Sequence, residues 1–210
     1  MTLKQHAYNA ILERILTGTL PPGELLNRRG MARQLAMSAA PVHEAMIQLE
    51  QEGFLEALPR LGTRVKTASR DNVRGHLVLR EALECQAARM IGPEHIKSAL
   101  PQLRSLAVAV DSSEASDSER ARTEVEFHIA LLEEAKCPEL TREYRRIMQI
   151  GLFYRINLLL TMPSRTLVNR HEQLLENLLA ATTPAEAEQC VRNHIWSGKP
   201  DFLKVDANQT

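Results

Sequence analysis

The sequence predicts a mainly α protein with a small β-hairpin near its N-terminal end and an all-α bundle behind it. Three observations carry this. Within residues 1–67, three short helical patterns closed by turn residues lead into two strand-like runs. From about residue 70 the strand signals vanish and six helical segments follow. The 210 residues are 44 % hydrophobic, an ordinary fraction for a globular chain, and their number suits two small domains.

The elements follow in order. Residues 3–17 form a helical pattern in which Leu3, Ala7, Ala10, Ile11, Ile15 and Leu16 fall mostly on one face. Gly18 ends it, and Leu20-Pro21-Pro22-Gly23 is a turn that cannot continue a helix. A second helix is expected over about 27–36, with Leu26, Met31, Ala32 and Leu35 inward. Ser38 has the position of an N-cap, and Pro41 lies in the first turn after it, where a missing N–H costs nothing. The third helix runs to about Glu52 on a stripe of Val42, Ala45, Met46 and Leu49, and Gly53 stops it. Residues 54–58 and 63–67 are strand-like, with Pro59-Arg60-Leu61-Gly62 as the hairpin tip. The order helix, helix, helix, hairpin is that of a winged helix-turn-helix.

The bundle helices are expected over 71–91, 94–110, 119–136, 138–161, 165–181 and 185–197. The breaks fall at Gly92-Pro93, the polar run 111–118, Cys137-Pro138, Pro163-Ser164 and Thr182-Thr183-Pro184. Thr183-Pro184-Ala185-Glu186 has the outline of a capping box with Pro at the first helical position. The expected division is 1–68 for the winged helix-turn-helix, 69–200 for the helical domain and 201–210 for a tail.

Composition narrows the function classes. Net charge is zero, with eight Lys/Arg against six Asp/Glu in residues 1–66 and 18 against 20 in the remainder. That tilt is too weak to argue nucleic-acid binding by itself. Cys85, Cys137 and Cys190 are odd in number and widely spaced, which argues against a disulfide framework or a Cys-ligated zinc site. The first residues are amphipathic and charged, unlike a signal peptide, and no run reaches the roughly 18–20 apolar residues of a membrane span. A soluble cytoplasmic protein with no membrane partner is expected.

In a helix-turn-helix the second helix enters the major groove, where each base pair shows a distinct edge pattern. The helix after Ser38 is the candidate reader. Arg28, Arg29 and Arg33 before it, and Arg60, Arg64 and Lys66 on the wing, suit phosphate contacts. The same basic residues would equally suit the solvated surface of a generic three-helix bundle, and the pattern alone leaves both readings open.

The residues then show a resemblance. Gly18-Thr19-Leu20-Pro21-Pro22-Gly23-Glu24-Leu25-Leu26, Ser38-Ala39-Ala40-Pro41-Val42-His43-Glu44-Ala45-Met46, Leu49-Glu50-Gln51-Glu52-Gly53 and Gly62-Thr63-Arg64-Val65 occur in order. The series resembles the GntR family of winged-helix regulators over residues 8–66. The candidate DNA-binding residues are Arg28, Arg29, Ser38, Ala39, Ala40, His43, Arg60, Gly62 and Arg64, and Arg29 matches a DNA-contacting arginine that the resemblance implies. The resemblance also marks a departure, because the family usually has Arg, Thr and Arg where this chain has Ala39, Ala40 and His43. The commonest guanine-reading group is therefore missing from the reading helix.

In the second half, Glu124 and His128 are four apart on a predicted helix and share a face. His171 and His194 lie about equally far before and after the turn near 182–183, so an antiparallel pair sets them at equal height, ~17 Å from the turn. One carboxylate and three imidazoles suit a divalent transition metal, with zinc ahead of nickel or manganese. Each residue taken alone would also suit a surface or satisfied core group.

Here too a resemblance enters. Arg80-Glu81-Ala82-Leu83-Glu84, Glu124-Val125-Glu126-Phe127-His128, Ala135-Lys136-Cys137-Pro138-Glu139-Leu140, Asn169-Arg170-His171-Glu172 and Asn193-His194 resemble the FCD ligand-binding domain of the FadR-type subgroup, in its six-helix, VanR-like version. The resemblance implies that Glu124, His128, His171 and His194 bind the metal, with Glu where Asp is usual. It also implies a small carboxylate effector and a homodimer. Arg80 is the candidate partner for the effector carboxylate, with an i,i+4 surface pair to Glu84 as the other reading. Tyr154, Arg155 and Asn157 are further effector-binding candidates. The expected function is a ligand-controlled DNA-binding repressor acting on double-stranded operator DNA, and not an enzyme. The alternatives are a metal-dependent hydrolase or a pure metal sensor using the same site.

Overall fold

Side chains at helix starts set the first elements. The Thr2 hydroxyl accepts from the Gln5 N–H at 3.1 Å and opens α1 (Leu3–Leu16). Asn27 accepts from the Arg29 and Gly30 N–H groups at 2.9 and 3.2 Å and opens α2 (Arg28–Gln34). Each satisfies backbone donors that a helix start leaves unpaired. Ser38 takes the extended N-cap backbone before α3 (Ala39–Gln51), but its hydroxyl makes no capping bond. The side-chain cap expected there is therefore not formed. Gly53, at φ +88°, supplies the left-handed residue that ends α3.

The computed structural model describes residues 1–112, 117–161 and 170–197, without the side chains of 117, 118, 152 and 154–161. It divides into two units, Met1–Ser69 with Ile150–Pro163, and Arg70–Gln149 with Ser164–Thr210.

In the first unit, β2 (Leu55–Leu58) and β3 (Gly62–Val65) form the expected hairpin. A strand the periodicity did not reveal, β1 (Leu25–Leu26), pairs antiparallel with the other edge of β3, giving the order β1-β3-β2. Two residues are too short for an alternation signal, and only the ladder to β3 makes them a strand. The core joins Ala7, Tyr8, Ile11, Leu12 and Ile15 of α1 to Val42, Ala45, Met46 and Leu49 of α3. Leu3, expected inward, is 67 % exposed, and Tyr8 and Leu12 take up the buried stripe instead. Phe54 meets Phe153 edge to face at 5.6 Å.

After Ser69 six helices follow one another among the described residues, all in the second unit except the part of α7 from Ile150 onward. They are α4 (Arg70–Met90), α5 (Pro93–Asp111), α6 (Asp117–Glu133), α7 (Pro138–Thr161), α8 (His171–Ala180) and α9 (Pro184–Trp196). The capping box at Thr183 and Glu186 is formed in both directions and starts α9. α4 packs on α9 and α6, α5 on α6 and α8, and α8 on α9. Phe127, Leu132, Leu103, Leu174, Leu175 and Ile195 are among the buried side chains that join them. Among the described residues no helix is long and apolar enough to cross a membrane.

Candidate metal centre and nucleic-acid interface

Three helices of the second unit each bring one imidazole to a common point. α6 carries His128, α8 begins at His171, and α9 carries His194 near its end. The α8–α9 turn sets the last two level, and their ring centroids are 4.8 Å apart. His128 lies 5.5 Å from His171 and 5.3 Å from His194 by the same measure. All three are buried, and one donor atom from each lies within 4.8 Å of the others.

The chemistry of these donors fits a metal. The Nε2 atoms of His128, His171 and His194 are buried and have no hydrogen-bond partner among the described residues. A buried polar atom without a partner costs roughly 1–3 kcal/mol. Three such atoms around one point are what a divalent ion bonded to imidazoles at ~2.1 Å requires. Burial favours the neutral form of the His128 and His194 imidazoles, the form that binds metal. It pushes the His194 ring down to about 2, with the neighbouring His128 and His171 rings adding to the effect. It also lowers His128, against the pull of Glu84.

Two carboxylates stand behind this triad. Asp111 Oδ1 lies 2.7 Å from His171 Nδ1. Glu84 Oε2 lies 2.8 Å from His128 Nδ1, close but out of line for a straight hydrogen bond. Glu84 Oε1 also accepts from Arg80 Nε at 2.5 Å and from the Tyr144 hydroxyl at 2.7 Å. Burial opposes the charge on Glu84, but the Arg80 guanidinium, then His128 and Tyr144, outweigh it and hold the carboxyl well below the usual range. Neither Asp111 nor Glu84 was identified as part of a metal site from sequence. Asp111 stood in a polar break between helices, and Glu84 stood only as an i,i+4 partner of Arg80.

Glu124 departs from expectation. It is buried, but its Oε1 accepts from Arg80 Nη1 at 3.2 Å, and it is not in the group of clustered donors. Arg80 explains this. Its guanidinium is itself only 4 % exposed, and a buried cation draws the available anions to it. The i,i+4 pair with Glu84 is formed, but in the interior rather than on the surface. Arg80 Nη2 is buried and has no partner among the described residues. The side chains of Tyr154, Arg155 and Asn157 lie outside the described residues.

In the first unit, Ser38, Ala39 and Ala40 are exposed at the start of α3, and His43 is half-buried one turn later. Arg28 and Arg29 at the start of α2 and Arg60 and Gly62 at the wing tip line one open groove. Gly62, at φ +110°, adopts a backbone conformation that a side chain would strain. Arg64 is held across the hairpin by Glu56, at 3.0 Å from Nε and 2.8 Å from Nη2.

Both parts of the chain match known protein families. Residues 3–65 match the profile of bacterial regulatory proteins, gntR family, and residues 76–196 match the FCD domain. An uncharacterized HTH-type transcriptional regulator from the TAR-I ttuE-ttuC' intergenic region of Agrobacterium vitis is 39 % identical over 82 residues. That match covers 39 % of this chain and 48 % of that protein. The uncharacterized HTH-type transcriptional regulator YdhC of Bacillus subtilis is 27 % identical over 192 residues, 89 % of this chain and 85 % of that protein. Among solved structures, E. coli McbR/YncC shares the fold at a TM-score of 0.67 and 21 % identity, covering 93 % of this chain and 94 % of that one. The chain therefore belongs to the GntR family of bacterial transcription regulators, with an FCD domain following its winged helix-turn-helix.

Proposed function

We propose that this protein is a sequence-specific DNA-binding repressor whose operator affinity is set by a small carboxylate metabolite bound in a metal-containing helical domain. The observation that carries the sensing half is the trio of buried, partnerless Nε2 atoms of His128, His171 and His194, with Arg80 Nη2 partnerless in the same unit. In this reading residues 1–68 read DNA, and residues 69–200 sense and dimerise. Two symmetric reading heads then meet a two-fold operator. Zinc is the first candidate ion, with nickel and manganese behind it. When bound, the ion would supply a Lewis-acidic position for an effector carboxylate. The His128, His171 and His194 imidazoles hold that position, and Arg80 supplies a guanidinium for a second effector oxygen.

Glu124 and Glu84 both pair with Arg80. An effector carboxylate that takes over part of the guanidinium changes what holds α4 to α6. That is the kind of differential contact that shifts an equilibrium between two arrangements. We assign the effector-bound form the weaker operator affinity.

A hydrolase using the same imidazoles is disfavoured by the groups beside them. Glu126 is exposed, and Glu84 is committed to Arg80, Tyr144 and His128, so neither suits a general base. The test is elemental analysis of the purified full chain beside His171→Ala and His194→Ala. About one divalent ion per chain, lost in both variants, is expected. No ion in the wild-type chain after incubation with zinc, nickel and manganese would falsify the metal reading. Metal binding with no carboxylate that alters operator affinity would identify a pure metal sensor instead.

A further inference from the structure

We propose that Asp111 is a positioning residue for the metal centre, whose carboxylate selects the His171 tautomer that presents Nε2 to the ion. This rests on the metal reading above. Asp111 is the last residue of α5, and α5 packs against α8. Its two oxygens divide between two tasks. Oδ1 lies 2.7 Å from His171 Nδ1, while Oδ2 accepts from the backbone N–H groups of His171 and Glu172 at 2.8 and 3.3 Å. One carboxylate thus holds the ring and the main chain of the same histidine.

The second task is one α8 cannot perform for itself. Its own N-cap residue, Arg170, makes no side-chain capping bond. Asp111 fills that role from another helix, and its charge suits the positive end of the α8 dipole. The consequence for the metal centre is electronic as well as geometric. A carboxylate can only accept, so Nδ1 must carry the proton and Nε2 must keep its lone pair. His171 Nε2 is buried in the interior with no partner among the described residues, and an unconstrained neutral imidazole prefers the opposite tautomer. Phe127 packs edge-on against the His171 ring at 4.9 Å and limits its rotation.

Glu84 Oε2 lies 2.8 Å from His128 Nδ1 without a straight hydrogen bond, and Glu84 also binds Arg80 and Tyr144, so altering it disturbs several groups at once. Among the described residues the hydrogen bonds of the Asp111 side chain go only to His171 and Glu172. That makes Asp111 the cleaner probe.

The substitution Asp111→Asn separates the two tasks. Asn keeps one oxygen to accept from the α8 backbone and turns an NH2 donor toward Nδ1, which demands the wrong tautomer. The experiment uses the full chain. Side-chain 15N–1H correlation spectra of the metal-free protein report the His171 tautomer, and competition with a chromophoric chelator reports zinc affinity. The wild type is expected to carry Nδ1–H at His171. Asp111→Asn is expected to shift it to Nε2–H and to weaken zinc binding by ~10–100-fold, with Asp111→Glu recovering part of the affinity. The proposal is overturned if wild-type His171 carries Nε2–H, or if Asp111→Asn binds zinc as tightly as the wild type. Should Asp111→Asn fail to fold, the wild-type tautomer and the affinity of Asp111→Glu still decide it. If the tautomer shifts as expected while the wild type binds no metal, the orienting role of Asp111 stands and the metal reading fails.

Discussion

Glu124 and Arg80 are joined in the interior, Oε1 to Nη1 at 3.2 Å, although 44 residues separate them. The contact makes Glu124 half of the charge balance around a buried guanidinium, while the clustered donors are the three histidines. It follows that Glu124→Gln should leave about one zinc per chain, because the imidazole donors remain, yet lower stability markedly. Breaking a buried pair on one side costs on the order of 3–5 kcal/mol. Urea denaturation beside elemental analysis checks both halves. Loss of the metal with stability unchanged would show Glu124 to be a ligand instead.

Tyr144 supports the same network through its hydroxyl, which donates to Glu84 at 2.7 Å. Tyr144→Phe keeps the ring in the core and removes that donor. The expected loss is about 1–3 kcal/mol in urea denaturation, since a buried carboxylate loses a hydrogen bond it cannot replace with water. A variant as stable as the wild type would show that Arg80 and His128 suffice for Glu84.

His76 gives the metal-free protein an acid sensitivity. Burial, with Arg80 adding to it, lowers the ring from 6.5 to about 4. The unfolded chain therefore binds a proton that the folded chain refuses. The stability this group contributes is full above about pH 6.5 and falls as pH drops toward 4, by on the order of 3 kcal/mol over that window. Thermal melts of the chelator-treated protein should show the decline. His76→Gln should remove that share of the decline and leave the share of His128 and His194, which burial also lowers; an equal slope in that variant would remove His76 as a contributor.

Metal should raise the melting temperature. Saturation at 100 times the dissociation constant adds ~2.7 kcal/mol when only the folded chain binds. Trp196, the single tryptophan, follows His194 by two residues and donates to Glu81 at 2.6 Å, so its emission is a local readout of the titration. His194→Ala should abolish both the emission change and the stabilisation. Persistence of either in the variant would place the ion elsewhere.

At the DNA end, Arg28, Arg29 and Arg60 line one groove. Arg60→Ala should weaken binding to any duplex and reduce the salt slope by about 1, the mark of a lost phosphate contact. His43→Arg should instead change sequence preference, by ~1–3 kcal/mol at one base pair, because it restores a bidentate donor to the start of α3. Fluorescence anisotropy across several salt concentrations and a panel of duplexes distinguishes the two. An unchanged salt slope for Arg60→Ala would remove the wing tip from the interface.

Much of this protein was legible in the sequence because local rules wrote it. The Thr183–Glu186 capping box, the Gly53 stop and the apolar stripe of α3 depend on residues a few positions apart, and each formed as expected. The meeting of His171 and His194 was also legible, since a short turn and a fixed rise per residue set their heights. What lay beyond it depends on residues distant in the chain. Nothing near Leu25 and Leu26 announces a strand, because the partner that makes it one is β3. Nothing near Asp111 announces a cap for α8 and an anchor for His171, because both come from helix packing. Glu124 shares a helical face with His128, so spacing assigns them one role. Only the tertiary structure brings Glu124 to the buried Arg80, because a charge removed from water must find its counter-ions wherever the fold supplies them.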